Sequence, residues 1–192
     1  AILASMLLPA LNKARASARR AQCATQLKAL ASSVVMYAGD YQDFLPAAFG
    51  PSGNKADISA PVTLYPYLGL SSQHRNWNYF YHKLVQCPAV PVADLGYSHN
   101  TGLHLRKFTT VRNSSTLVAL WDGGWWGDGS IGGRVGVSAA YMKPTDLDAR
   151  RHEGTANYGF LDGHVNSFVP TAICITSHGV TRERYWVINS KL

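Results

Sequence analysis

Three residues near the C-terminal end of the sequence, His152, Asp162 and His164, have the side chains best suited to chemistry. Imidazole and carboxylate groups bind transition metals and transfer protons. Asp162-Gly163 is a strong turn dipeptide between two strand-like segments, so a hairpin would bring the three side chains together. Such a cluster would suit a metal-dependent hydrolase.

A structural interpretation of the same segment is favoured. In it, His152 and Asn157 hydrogen-bond to the backbone of the turn, and Asp162-Gly163 supplies the turn geometry. Neighbouring strand residues point to opposite faces, and no third ligand follows at a metal-binding spacing. We therefore expect these residues to form a structural turn without a bound metal.

Carboxylates in glycine-rich sequence suggest calcium as a weaker alternative. Calcium takes oxygen ligands from flexible loops, and the candidates would be Asp122, Asp128 and Asp162. The EF-hand spacing is absent, and Asp-Gly pairs are ordinary in turns. We expect no cofactor.

The glycine-rich segment 121–136 also contains tryptophans, which could stack on sugar rings with Trp121, Trp125, Trp126 and Tyr141. A surface carbohydrate-binding module is therefore an alternative function, although tryptophans serve equally in a subunit interface. The sequence contains neither a Gly-x-Ser-x-Gly elbow nor a phosphate-binding glycine loop. Enzymatic activity is unsupported, and we expect none.

The cysteines of the sequence fit no zinc-binding pattern. Cys23, Cys87 and Cys174 are far apart, and none stands two to four residues from another. One disulfide and one remaining thiol are arithmetically allowed, and the pairing depends on the compartment.

The positive charge of the chain lies on its first segment. The 192 residues have a net charge of +7, and 46% of them are hydrophobic, which excludes a disordered polyelectrolyte. Residues 1–39 hold five cations and no acid, so the remainder has a net charge of only +2. An apolar run precedes the cations, and Leu and Ala occupy the positions where a DNA-reading helix would have polar side chains. This order is typical of a segment leaving a membrane, and we expect no nucleic-acid partner.

Residues 2–38 are predicted to form one long helix, because they are rich in Ala, Leu, Lys, Arg and Gln. Apolar or small residues recur at a spacing of three and four, and they change from mostly alanine before residue 22 to larger residues after it. The helix therefore has two different neighbours. Pro9 either kinks this helix or marks its start, and Gly39-Asp40 is predicted to end it.

After residue 39 the pattern changes to short strands separated by turns. The clearest strands are predicted at 115–121, 156–161 and 165–169, with further ones near 83–87 and 185–188. Short helical turns are predicted at 64–68 and 77–81. The predicted fold class is α+β: a helical stem, 1–38, packed on a small antiparallel sheet in a head of residues 39–192.

The opening segment ILASMLLPALNKARASARRAQCATQLKAL resembles the second half of the N-terminal helix of type IV pilins and pseudopilins. The resemblance is closest to a bacterial branch with a His-(nine residues)-Asp-Gly motif, which His152 and Asp162-Gly163 match. Further matches are MYAGDYQDFLP at 36–46, Gln86-Cys87-Pro88, GYSHN at 96–100 and SSTLVALWD at 114–122. The resemblance extends from residue 1 to about residue 169.

The resemblance implies a pilin-like fold and a structural subunit of an extracellular pilus-like filament or a type II secretion pseudopilus. It implies a prepilin that is processed and methylated, anchored in the inner membrane, and polymerised into a helical filament by an assembly machinery. The processing motif and the early glutamate of pilins are absent from this sequence. The implied filament interface comprises Leu3, Leu7, Pro9, Ala10, Leu11, Ala14 and Ala18, and the implied stem–head packing comprises Leu27, Leu30 and Val34.

The exported setting of that family favours oxidised cysteines. Members of the branch carry cysteines at positions equivalent to Cys23 and Cys87. The resemblance therefore implies a Cys23–Cys87 disulfide that joins stem to head and leaves Cys174 free or intermolecular.

Overall fold

The structure is a computed structural model that describes most of the stem and part of the head. The described residues are 2–47, 63–70, 84, 87–89, 97–100, 103, 105–122, 151–169, 173–177 and 184–188.

One long helix, α1, spans Ile2–Asp40. It continues through Pro9, so the alternative that the helix begins at this residue is wrong. The chain turns after the helix at Gln42 and Asp43, whose φ angles are 53° and 71°. Gly39 is still helical, so the predicted glycine C-cap is corrected: two non-glycine residues take up the left-handed conformation just beyond the helix.

The head contains a four-stranded antiparallel sheet with the strand order β1-β2-β3-β4. A separate antiparallel pair, β5-β6, follows it in the chain. The strands are β1 (Ser98–His99), β2 (Val118–Trp121), β3 (Ala156–Phe160), β4 (Val165–Phe168), β5 (Ile173–Ser177) and β6 (Arg184–Ile188).

The predicted fold class is confirmed, because the long helix and the small antiparallel sheet form an α+β, pilin-like arrangement. The strands predicted at 115–121, 156–161, 165–169 and 185–188 correspond to β2, β3, β4 and β6, and the 3-10 helix Tyr65–Leu68 corresponds to the predicted helical turn. The short β1 and β5 were not predicted. The helical turn predicted at 77–81 and most of the strand predicted at 83–87 lie outside the described residues.

The C-terminal half of α1 packs on β3. Leu27, Leu30 and Val34 are all buried, in agreement with the spacing of three and four on which their packing was predicted. A Cβ atom on Gly159 of β3 would lie 3.3 Å from Ala31 Cβ and 3.4 Å from Leu27 Cγ. The missing side chain therefore lets helix and sheet approach closely.

The other face of β3 is covered by aromatic contacts. The Tyr158 and Phe160 rings both lie about 6.3–6.4 Å from the ring of Phe168 on β4, and the His164 imidazole stacks on Phe160 at 4.1 Å. Successive strand residues alternate between faces, so the aromatic side chains lie on the face of β3 opposite to Gly159 and α1. β3 is thus buried on both sides.

Candidate functional site

Four side chains from distant parts of the sequence meet at one buried point between stem and head: Cys23, Cys87, Asp122 and His152. Their Sγ, Oδ2 and Nε2 atoms all lie within 4.8 Å of one another, and each residue is at most 4% exposed. Cys23 Sγ is 3.3 Å from Asp122 Oδ2, and Cys87 Sγ is 3.4 Å from His152 Nε2. His152 Nε2 is also 2.9 Å from Asp122 Oδ2.

A tight turn positions His152. Its backbone exchanges two 3.2 Å hydrogen bonds with Thr155, and the two residues between them, Glu153 and Gly154, have φ angles of 56° and 90°. Positive φ at both central residues is the requirement of a type I′ turn. The Thr155 hydroxyl also donates to the His152 carbonyl at 2.8 Å. The histidine is therefore held at the entry to β3.

Backbone contacts with β3 fix the orientation of Asp122, the residue that follows β2. The Asn157 N–H donates to Asp122 Oδ1 at 2.7 Å, and the Asp122 N–H donates to the Asn157 carbonyl at 3.0 Å. These bonds occupy one carboxylate oxygen and turn the other, Oδ2, toward the thiols and the imidazole. The Asn157 side chain lies 3.5 Å from the Arg20 carbonyl, beside the stem.

The two cysteines also have fixed surroundings. The Tyr97 hydroxyl donates to Gln26 Oε1 at 2.8 Å and lies 3.4 Å from Cys23 Sγ. The Ala89 N–H hydrogen-bonds to the thiol of Cys87 within the turn that Cys87 begins. Neighbouring protein groups thus orient both sulfur atoms.

The four groups shift one another's protonation. The hydrogen bond with Cys23 lowers the pKa of Cys87 to about 4 against the opposing effect of burial, whereas that bond and burial raise the pKa of Cys23. Burial raises the pKa of Asp122, although its hydrogen bond with His152 opposes this. Burial alone would lower the pKa of His152, but bonds to Asp122 and Cys87 raise it to about 9. The pKa shifts of Cys87 and His152 are both in the direction that favours a thiolate–imidazolium pair.

The implied Cys23–Cys87 disulfide is not formed, because both residues are free cysteines. The implied proximity of stem and head at these residues is present. The physical difference is that neither sulfur is bonded to the other. Cys23 Sγ contacts Asp122, and Cys87 Sγ contacts His152. Cys174 lies on β5, and its side chain is outside the described residues.

His152, Asp162 and His164 do not form one cluster. Among the described residues, the cluster able to hold a metal includes His152 but neither of the other two. Asp162 instead accepts bonds from the backbone N–H and the Nδ1 atom of His164, at 3.0 and 2.6 Å, on the exposed turn between β3 and β4. Gly163, with φ of 89°, completes this turn. The motif therefore spans β3, from the buried cluster at one end to a structural turn at the other.

The remaining site candidates are placed as follows. Asp122 faces two thiols and an imidazole, which are unlike the oxygen ligands of calcium, and Asp128 lies outside the described residues. Trp121 is buried, so it is not available to stack on a sugar, while the other aromatic residues of that alternative lie outside the described residues.

The residues of the implied filament interface lie in the first half of α1, in which residues 7–15 are all exposed. Leu7 and Leu11 are 66% and 46% exposed, although both are large and apolar. The side chain of Leu3 lies outside the described residues. The other members, Pro9, Ala10, Ala14 and Ala18, are also exposed.

The sequence analysis named all four cluster residues and paired Cys23 with Cys87, but it did not bring Asp122 and His152 together with the cysteines. Its zinc criterion required ligands a few residues apart, whereas these ligands come from four separate segments. The available sequence signals were an aspartate directly after the apolar strand 118–121 and a histidine that begins an HEGT turn. Their meeting with the cysteines depends on the tertiary fold.

Residues 12–80 match the family described as "Protein of unknown function (DUF1559)". The match covers about a third of the chain and includes Cys23 but not the other three cluster residues. That family is associated with pilin-like and pseudopilin-like proteins, and the match is compatible with a pilin-like surface protein. Neither a curated protein nor a solved structure gives a significant match.

Within the described ranges, no helix is both long enough and apolar enough to cross a membrane.

Proposed function

We propose that this protein is a non-enzymatic structural subunit that polymerises through the exposed half of α1 into an extracellular pilus-like filament or a short pseudopilus. The observation that carries the proposal is the division of one continuous helix. From residue 23 onward its apolar face is buried in the head, whereas residues 7–15 are all exposed.

The exposed segment of α1, residues 7–15, has an apolar surface that a neighbouring helix would cover in an assembly. Leu7, Leu8 and Leu11 are 66%, 58% and 46% exposed within two turns. Burying a leucine side chain contributes about 1.5–3 kcal/mol, so covering all three would stabilise an assembly substantially. The adjacent small residues Ala10, Ala14 and Ala18 would let a neighbouring helix approach closely.

We take the partner to be further copies of the same chain. A contact between one part of a helix and a different part of the next copy is heterologous, and repetition of such a contact gives an open helical polymer. Four of the five stem cations, Lys13, Arg15, Arg19 and Arg20, would lie near anionic headgroups of the inner membrane before assembly and face neighbouring subunits afterwards, whereas Lys28 bonds to the head of its own chain. An assembly machinery would transfer the subunit between these two states.

Similarity to known proteins supports only part of the proposal. The family match to residues 12–80 and the pilin-like fold support a pilin-like surface protein. Polymerisation, export and cell-surface location are inferred from the exposed helix and from the resemblance of the sequence to pilins.

The test is negative-stain electron microscopy of material sheared from cells that produce the chain, with antibody labelling of the filaments. Ala14→Glu should abolish labelled filaments, because it places a charge in the small-residue face. Asn12→Glu adds the same charge on the opposite side of the same helix and should leave filaments intact. Filaments that form equally with Ala14→Glu, or their absence from the unaltered protein, would contradict the proposal.

A further inference from the structure

The buried cluster has the atom arrangement of a tetrahedral metal site. Bonds of about 2.3 Å to sulfur and about 2.0–2.2 Å to nitrogen and oxygen place the ligand atoms of a tetrahedral zinc roughly 3.3–3.8 Å apart. Three of the six ligand–ligand distances are 2.9, 3.3 and 3.4 Å, and all six are at most 4.8 Å. Small movements of the four side chains would therefore place their ligand atoms around a common ion.

The ligand types select among metals. Two sulfur atoms, an imidazole nitrogen and one carboxylate oxygen form a set suited to zinc, whereas calcium and magnesium prefer oxygen alone. Zinc with four protein ligands is the composition of closed structural sites, because a catalytic site keeps one position open for water or substrate. The near-complete burial of all four residues agrees with a closed site.

The hydrogen bonds around the cluster resemble those that orient ligands in metal sites. The Asn157 N–H holds Asp122 Oδ1 and leaves Oδ2 for the metal. The Tyr97 hydroxyl and the Ala89 N–H contact the sulfur atoms of Cys23 and Cys87 respectively. Such outer contacts fix ligand orientation and contribute to metal affinity.

A catalytic Cys-His-Asp arrangement fits the geometry less well. In such a triad the histidine uses one nitrogen for the nucleophile and the other for the carboxylate. Here His152 Nε2 faces both Cys87 Sγ and Asp122 Oδ2. One nitrogen facing both groups is the expected result when all four atoms point to a common centre.

We propose that Cys23, Cys87, Asp122 and His152 bind one zinc ion in a closed structural site that fastens the stem helix to the head. The ligands come from α1, from the turn at residues 87–89, from the residue after β2 and from the turn before β3. The ion therefore joins elements that are otherwise held by packing. Formation of this zinc site does not depend on whether the protein polymerises.

The first experiment measures metal content of the full chain purified under reducing conditions with zinc in the medium, after desalting. We expect one zinc per chain by elemental mass spectrometry, and a fall in Tm after removal with a chelator. The paired variant Cys87→Ser/His152→Ala should lose the zinc. The paired variant Asp162→Asn/His164→Ala, altered on the exposed turn, should retain it.

The second experiment does not depend on variants that fold poorly. Cobalt(II) added to the metal-free chain should give the absorption of a tetrahedral site with sulfur-to-cobalt charge transfer. His152→Cys should keep tetrahedral binding and strengthen the charge-transfer band, because the thiolates increase from two to three. Either result would be hard to explain by adventitious surface binding.

Three outcomes would overturn the proposal. The first is a desalted, reduced chain without stoichiometric zinc, and the second is a cobalt spectrum without thiolate charge transfer. The third is an intact mass showing a Cys23–Cys87 disulfide in chain prepared from its native compartment, since oxidised sulfurs cannot both bind the metal.

Discussion

The two halves of α1 have similar helix-forming residues but opposite surroundings. Leu27 and Leu30 are at most 2% exposed, whereas Leu7 and Leu11 are about half exposed or more. Leucine content therefore does not distinguish the halves. The difference is that β3 presents Gly159 to the second half and packs closely on it, whereas no described element covers the first. The second half contributes to folding of the subunit, and the first remains available for assembly.

The largest expected effect comes from truncating one leucine in each half. Leu27→Ala should lower the free energy of unfolding by about 2–5 kcal/mol, because it leaves a cavity under β3. Leu11→Ala should change it by no more than about 0.5 kcal/mol, because the side chain is exposed in the single chain. Urea denaturation of the monomeric protein measures both. Equal losses of stability would show that the first half is also packed within the subunit. They would contradict the proposed difference between the two halves of α1.

The close approach of the second half to the sheet gives the next prediction. Gly159→Val should lower the free energy of unfolding by about 1–3 kcal/mol, because its side chain would overlap Ala31 and Leu27. Gly39→Ala is the matched control: a Cβ there meets nothing within 4 Å, and alanine favours helix. We expect no loss of stability for the control. A neutral Gly159→Val would mean that helix and sheet are less tightly packed than the structure shows.

The stem could be predicted well from sequence, because its signals are local. Helix propensity and the spacing of three and four identify α1 and the packing of Leu27, Leu30 and Val34. Strands β2, β3, β4 and β6 were also predicted, since each lies in a short strand-like run of the sequence beside turn residues. The end of the helix at Gly39-Asp40 was predicted correctly, but the turn beyond it was not, because Gln42 and Asp43 adopt positive φ angles that glycine usually takes.

The candidate site could not be assembled from sequence in the same way. Cys23 and Cys87 were paired as an implied disulfide, His152 was assigned to a structural turn, and Asp122 was considered only for calcium. Their convergence depends on the register of β2 against β3, which places Asp122 beside Asn157, and on the packing of α1 over that pair. These are long-range contacts that no local spacing encodes.

A smaller effect is expected from one polar contact between the buried half of the stem and the head. Lys28 Nζ donates to the Gly163 carbonyl at 2.7 Å, at the turn that ends β3. Lys28→Met keeps most of the aliphatic chain and should lower the free energy of unfolding by about 0.5–1.5 kcal/mol through the lost hydrogen bond. Lys13→Met, in the exposed half, should leave unfolding unchanged. If the two substitutions have the same effect, this bond does not join stem to head in solution.

The smallest expected effect depends on pH and concerns the turn where the stem enters the head. The Asp43 carboxylate accepts hydrogen bonds from the backbone N–H of Thr109, at 3.0 Å, and from its hydroxyl. These bonds lower the pKa of Asp43 in the folded protein. A lowered folded-state pKa means that the stabilisation is present above the ordinary aspartate pKa and is lost as the pH falls through the folded value.

Asp43→Asn should therefore lower Tm slightly at pH 7, and the difference from the unaltered protein should shrink below the ordinary aspartate pKa and vanish below the lowered folded-state value. Asparagine tolerates the positive φ of this position, so the substitution tests the charge rather than the backbone. Asp40→Asn, three residues earlier at the end of α1, is the control for a general charge effect, because its carboxylate accepts from Tyr67 and not from Thr109. A Tm difference for Asp43→Asn that persists unchanged into acid would show that the carboxylate charge does not stabilise this turn.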